Sequence, residues 1–222
     1  MTERPILFNS DMVRAILEGR KTQTRRPVKG IPHDDWLPAE MCATTGEGWQ
    51  TAGHSGQWWC DCCGVDGQEI TSPFGIPGDR LWVRESFASR LDEDHKKPSE
   101  LDPAHAVFYW ADGIGKCANT GCGGAAGKIR PSIHMPRWAS RITLKVLDVR
   151  VERVQDITAR QCVAEGVRAE QHYDPVSRSP CDEIRAFQAF VALWDSIYGE
   201  GAWESNPWVW VVEFERTATE EG

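Results

Sequence analysis

Between residues 141 and 154 apolar and polar side chains alternate, and midway the alternation changes phase. Ile142, Leu144 and Val146 take every second position; Leu147, Val149 and Val151 continue the pattern one residue later. Strict alternation predicts a strand with one face on a core, and a one-residue slip predicts a β-bulge or a bend at a barrel corner. Such a strand needs partners. They are expected at residues 5 to 8, at 80 to 85 behind the Pro77-Gly78-Asp79 turn, at 107 to 110, and at 207 to 216. In the last of these Trp208, Trp210, Val212 and Phe214 share one face.

Three helices fit around these strands. Residues 10 to 18 carry Val13, Ile16 and Leu17 as an apolar stripe, with Ser10 or Asp11 as cap and Gly19 as a left-handed stop. Asp156-Ile157-Thr158 opens a short helix that runs through Glu165 and ends at Gly166. Ile184, Phe187, Phe190, Val191, Trp194 and Ile197 recur at helical spacing up to Gly199. No internal repeat and no glycine-rich phosphate loop is visible. The order of elements predicts an α+β chain whose curved, mixed sheet closes into a small barrel flanked by helices. At 222 residues the chain suffices for one such domain with large insertions.

The insertions are residues 30 to 76 and 88 to 139, which hold no sustained period of 2 or 3.6 outside residues 107 to 110. Residues 88 to 105, charged and proline-bearing, read as surface loop. Six of the eight cysteines fall in the insertions. The N-terminus carries Glu3, Arg4 and Pro5 rather than a secretory signal, so a cytoplasmic location is expected and a disulfide framework is not. Cys60 and Cys63 form one C-x-x-C half of a tetrahedral site, and Cys117 and Cys122 a second, so a structural zinc is one reading. Cys42, Cys62 and His54 are alternative ligands, and free thiols are the other reading. Cys162 falls inside a helix pattern as a small core residue, and Cys181 precedes the last helix. No metal is expected in catalysis, since no His-x-Glu precedes a Pro-Cys-x-x-Cys. Trp36, Trp49, Trp58, Trp59 and Trp138 either fill small cores within the irregular segments or stack on bases.

Charge narrows the partners. The net charge of −8 argues against a general duplex binder, and no apolar run is long enough for a membrane helix. A local basic stretch runs against that balance: Gly19-Arg20-Lys21-Thr22-Gln23-Thr24-Arg25-Arg26, directly behind the first helix. A cation and a hydroxyl on a shoulder fixed by a glycine turn, with more cations beside them, suit a polar or anionic small ligand. A solvated basic turn is the plain alternative. Arg25 and Arg26 are candidate ligand contacts. Trp82 is the aromatic placed for base stacking, and Glu85 either accepts from a base edge or pairs with an arginine.

On these residues the chain resembles the ASCH domain, a relative of the PUA-like RNA-binding barrels. The family pattern Gly-x-Lys-x-x-Thr-x-Arg reads here Gly19, Lys21, Thr24, Arg26. A Gly-Asp before a hydrophobic strand recurs as Gly78-Asp79-Arg80-Leu81-Trp82-Val83. An aliphatic-Thr pair opening a helix that carries a glutamate recurs as Ile157-Thr158 through Glu165, and the closing aromatic strand as residues 208 to 216. The resemblance covers roughly residues 5 to 29, 77 to 87 and 140 to 216, within one domain spanning 1 to 222. The layout is similar to ASCH proteins carried by phages and prophages.

The resemblance implies hydrolysis of the amide in N4-acetylcytidine, with Lys21, Thr24 and Glu165 as the catalytic set. Lys21, crowded by Arg20, Arg25 and Arg26, is expected to act as base on Thr24, whose hydroxyl attacks the acyl carbon. Glu165 shuttles the proton to the leaving amine, and Arg26 or backbone N–H groups meet the oxyanion. The expected partner is a modified nucleoside or nucleotide, with no evident protein partner. Two alternatives stay open: Lys21 and Glu165 form an ordinary ion pair, or the basic pocket binds, or cleaves, RNA.

Overall fold

The computed structural model describes residues 1–29, 50–51, 57–59, 70–104, 106–113, 125–167 and 180–217. In chain order the elements are β1 (Glu3–Leu7), α1 (Ser10–Leu17), β2 (Gln23–Pro27), β3 (Gln50–Thr51), β4 (Gln57–Trp59), β5 (Ile70–Thr71) and β6 (Arg80–Arg84). They continue with β7 (Phe87–Arg90), β8 (Phe108–Tyr109), β9 (Ala126–Arg130), β10 (Thr143–Arg153), α2 (Ala159–Ala164), α3 (Pro180–Tyr198) and β11 (Trp208–Arg216). The architecture is α+β. One five-stranded sheet has the order β1-β6-β10-β11-β2, and two three-stranded sheets have the orders β3-β4-β5 and β8-β7-β9. Among the described residues no sheet closes into a barrel: β1 and β2 are the two edges of the large one.

The chain divides into two compact units. The first comprises Met1–Lys21, Arg80–Lys145 and Glu215–Gly222; the second comprises Thr22–Asp79 and Val146–Phe214.

In the first unit β1 runs parallel to β6, Glu3 opposite Arg80, and β6 runs antiparallel to the start of β10, Trp82 opposite Thr143. Ile6, Leu81, Val83, Ile142 and Leu144 are buried, and the residues between them are not, so alternation in the sequence becomes a one-sided sheet. The expected stripe on α1 is present in Val13 and Ile16, with Ala15 added. Its cap is Asn9 rather than Ser10 or Asp11: the Asn9 side chain accepts from the Met12 N–H at 2.9 Å. Gly19 takes the left-handed conformation at φ 74°, as expected of a helix stop.

The segment read as surface loop, residues 88 to 105, opens with the last three residues of β7, the middle strand of a sheet, and the expectation is corrected there. Phe87-Ala88-Ser89-Arg90 has no alternation to betray it, because Phe87, Ala88 and Ser89 are all buried. Phe87 packs with Leu101, Val107, Tyr109, Met135 and Ala139, and Ala88 packs with Ala106 and Phe108. The strand expected at 107 to 110 is shorter, because the chain turns into a 3-10 helix at Trp110–Asp112.

In the second unit β11 lies antiparallel to β2, with Val209 opposite Pro27 and Glu213 opposite Gln23. The core gathers Val154, Ile157, Cys162, Ala186, Phe190, Trp194, Trp203, Val209 and Val211. Trp203 meets Phe187 edge-on at 5.2 Å between ring centroids and Phe190 at 6.1 Å. On α3 the buried stripe is Ala186, Phe190 and Trp194. Ile184, off that stripe, is exposed, and so is Ile197 in the last turn, a correction to the expected six-residue face. β11 is buried at every position from Trp208 to Val212, so it has two covered faces instead of one. In β10 burial follows Leu144 and Val146, then Val149; the expected slip is present, with Leu147 exposed.

Candidate functional site

The polar residues that most need explaining are those of β2 and the end of α2, both in the second unit. Gln23, Thr24 and Arg25 are buried along β2, and Arg26 is half-buried. Thr24 is 2% exposed and Glu165 4%. Burying such groups costs stability unless each meets a partner, so the fold has to supply partners here.

Backbone pairing fixes where these side chains start. The Thr22 N–H donates to the Ala164 carbonyl at 2.9 Å, one of the last carbonyls of α2 that lack a partner within the helix. The Thr22 carbonyl accepts from the Phe214 N–H at 2.9 Å. Thr22 is thus tied both to the last turn of α2 and to β11. Glu165 is the cap residue that follows Ala164, and Gly166 at φ 87° ends the helix behind it. At the other end of α2, Thr158 accepts from the Gln161 N–H, and the Gln161 side chain accepts from the Thr158 N–H, a full capping box.

The side-chain centre is Arg25. Its guanidinium is fully buried, with Nη1 donating to Glu165 Oε1 at 3.2 Å and Nη2 to Glu152 Oε2 at 3.1 Å. Arg25 Nε has no partner among the described residues. Glu152 is shared in turn: its other oxygen accepts from Arg150 Nε, and Arg150 also donates to Asp148 at 2.9 Å and Glu213 at 2.6 Å. Burial works against the Arg150 charge, but its three carboxylates outweigh it and hold the proton more tightly than usual.

Two neutral groups border the centre. Burial pushes the Cys162 thiol up to about 12, with Arg25 opposing and Glu165 reinforcing the shift, so the thiol stays protonated at neutral pH. Burial also raises Tyr198 above its ordinary value, against the pull of Arg26, which hydrogen-bonds it. The Tyr198 ring lies 4.4 Å from that of Trp194 and is 36% exposed.

The remaining expected residues belong to the first unit. Lys21, its last residue before Thr22, is 2% exposed; its N–H donates to the Ala15 carbonyl, and its Nζ sits 5.6 Å from the centre of the Phe8 ring. Trp82 is half-buried, with the Arg84 guanidinium 4.9 Å and the Arg137 guanidinium 5.7 Å from its ring. Arg84 Nε also donates to the Met135 carbonyl, and Arg137 grips Glu3 through two bonds. Glu85 pairs with an arginine, one of its two expected roles. Arg141 donates to both Glu85 oxygens at 2.9 and 3.0 Å and to both Asp112 oxygens at 2.6 and 2.9 Å. The Arg141 guanidinium lies 3.9 Å from the centre of the Tyr109 ring.

Sequence reasoning missed Glu152, Tyr198, Arg141 and Asp112. Glu152 carried a signal: with Asp148 and Arg150 it occupies the charged positions of an otherwise apolar alternation. The four expected zinc ligands, Cys60, Cys63, Cys117 and Cys122, lie outside the described residues, as do Cys42, Cys62 and His54. Among the described residues no group of three or more His, Cys, Asp or Glu is arranged to hold a metal, and no helix is long and apolar enough to cross a membrane. In comparison with known proteins, no family model, no curated protein and no solved structure matches the chain.

Proposed function

We propose that the protein is an amidohydrolase acting on N4-acylated cytidine-type nucleosides or nucleotides, on an ASCH, PUA-like scaffold. One observation carries the reading most: Thr24 and Glu165 are almost wholly buried in one unit, with a buried arginine on Glu165. A fold that needed only stability would gain as much from apolar side chains at these positions. The Gly19-x-Lys21-x-x-Thr24-x-Arg26 pattern supports the same reading.

In the proposed reaction Lys21 removes the proton of the Thr24 hydroxyl as its oxygen bonds to the acyl carbon. Arg26 or nearby backbone N–H groups stabilise the oxyanion. The C–N bond then breaks, and the proton reaches the cytosine amine through Glu165. Water hydrolyses the acyl-threonine ester, releasing the carboxylic acid and restoring Thr24. No metal or cofactor takes part in these steps.

The test is release of cytidine from N4-acetylcytidine by the purified protein, beside Lys21→Ala and Thr24→Ala. Turnover in the wild type, abolished by both changes with the fold intact by circular dichroism, supports the reading. A folded wild type without turnover sinks it. A second reading, binding of RNA without cleavage, is favoured by Trp82 with two guanidinium groups within 6 Å of its ring. Trp82→Ala would then weaken RNA binding at least about tenfold, the loss of one stacked base.

A further inference from the structure

Arg25 stands between two carboxylates and satisfies neither in full. From Arg25 each receives one bond, at 3.2 Å for Glu165 and 3.1 Å for Glu152, although an arginine can grip a single carboxylate with two parallel bonds. Its Nε, although buried, has no partner among the described residues. Glu152 does not depend on Arg25, since Arg150 holds its other oxygen. If Arg25 served only to neutralise Glu165, this second carboxylate would be a liability.

We infer that Arg25 is a positioning residue for Glu165, and that Glu152 sets how much of the Arg25 charge Glu165 receives. The inference rests on the proposed hydrolysis, in which Glu165 takes up a proton and gives it away. A carboxylate held bidentate by an unshared guanidinium is a poor proton acceptor, because the cation favours its charged form. A carboxylate without a cation wanders and holds its proton too well. Dividing one guanidinium between two carboxylates fixes the place of Glu165 without committing the whole guanidinium to it. Other groups around this centre include Arg26 on β2, Arg150 on β10, Asp148 and Glu213 (both through Arg150), Cys162 on α2 and Tyr198 on α3. Cys162 and Tyr198 stay neutral at working pH.

The experiment compares the wild type with Arg25→Gln and Glu152→Gln in the full chain, reading the pH dependence of kcat on N4-acetylcytidine. Arg25→Gln removes the cation and keeps the competing anion, so the acid limb of the profile moves to higher pH by one unit or more. Glu152→Gln leaves the cation to Glu165 alone, so the limb moves to lower pH, with KM within about twofold of the wild type. A purely structural role moves the two limbs together or leaves both in place, and either result overturns the inference.

A second measurement needs no turnover and covers the case in which Arg25→Gln does not fold. In 15N NMR the Arg25 guanidinium gives resolved Nη signals, because two anchored bonds slow its rotation. Glu165→Gln and Glu152→Gln each shift or merge them. Signals that ignore both changes overturn the inference whatever the activity. Responsive signals in a protein that releases no cytidine leave the shared guanidinium in place and discard the hydrolase reading instead.

Discussion

Each unit builds one arginine between two carboxylates, and the two sites are made differently. Around Arg141 every nitrogen has a partner: two bonds to Glu85, two to Asp112, and an aromatic ring beneath the guanidinium. Its side chain is 23% exposed, so water shares the cost of the charge. Arg25 has 0% exposure, one longer bond to each partner, and an Nε without a partner among the described residues. The first arrangement pins the 3-10 turn at Trp110–Asp112 to the end of β6 and to the approach to β10. The second stores polar groups where a core would be cheaper. The saturated, partly wet arrangement fits a structural role, and the dry one, spread over two partners, supports the proposed chemistry.

The sharpest way to break this contrast is Arg141→Met. Two carboxylates, one of them almost fully buried, lose the guanidinium they share, and the expected cost is about 3–5 kcal/mol in urea unfolding. Turnover per folded molecule should be unchanged; a specific loss of turnover would put chemistry at the saturated site too. Glu165→Gln should do the reverse, with kcat on N4-acetylcytidine falling roughly 10²–10⁴-fold. The amide can still accept from Arg25, so the urea midpoint should move little. A large stability loss without an effect on kcat would make both arginine sites structural.

Smaller effects come from pH. Burial raises the Glu85 carboxyl, with Arg141 opposing it, so the folded state holds this proton more tightly than the unfolded chain does. Its contribution is therefore complete below the unfolded value of about 4.3 and is lost as pH rises through the folded value. Stability measured from pH 4 upward should carry that decline, and Glu85→Gln should remove it. Glu3 has the opposite sign: its bond to Arg137 lowers the carboxyl, so its contribution is present at neutral pH and lost on acidification. Being largely exposed, it is worth under about 1 kcal/mol, and Glu3→Gln should be nearly silent in thermal unfolding. If Glu3→Gln cost as much as Arg141→Met, burial would not be what separates these ion pairs.

Much of the scaffold was legible because it is encoded locally. The stops at Gly19, Gly166 and Gly199, the box from Thr158 to Gln161 and the alternation of β10 all announce themselves within a few residues. The partners of the charges did not. Arg25 meets Glu165 across 140 positions and Glu152 across 127, and Arg141 meets Glu85 across 56. An arginine in sequence looks solvated until the fold brings a carboxylate to it. β7 was hidden for a related reason: a strand covered on both faces has no polar side to mark its period, and it was read as loop. Lys21 and Thr24 stood out in the sequence as a motif, whereas the pairing of Arg25 with Glu165 and Glu152 exists only in three dimensions.

The phase slip in β10 has a consequence for how the chain tolerates change in length. Before the slip even-numbered residues face the core; after it Asp148, Arg150 and Glu152, also even-numbered, carry the charges. The strand therefore has two parities, and one extra residue near Leu147 separates them. Deleting that residue would keep every downstream amino acid and reverse its side, turning the charged stripe inward and Val149 and Val151 outward. Point substitutions along β10 are graded in their effects, whereas a single-residue deletion there acts as a frameshift of the fold itself.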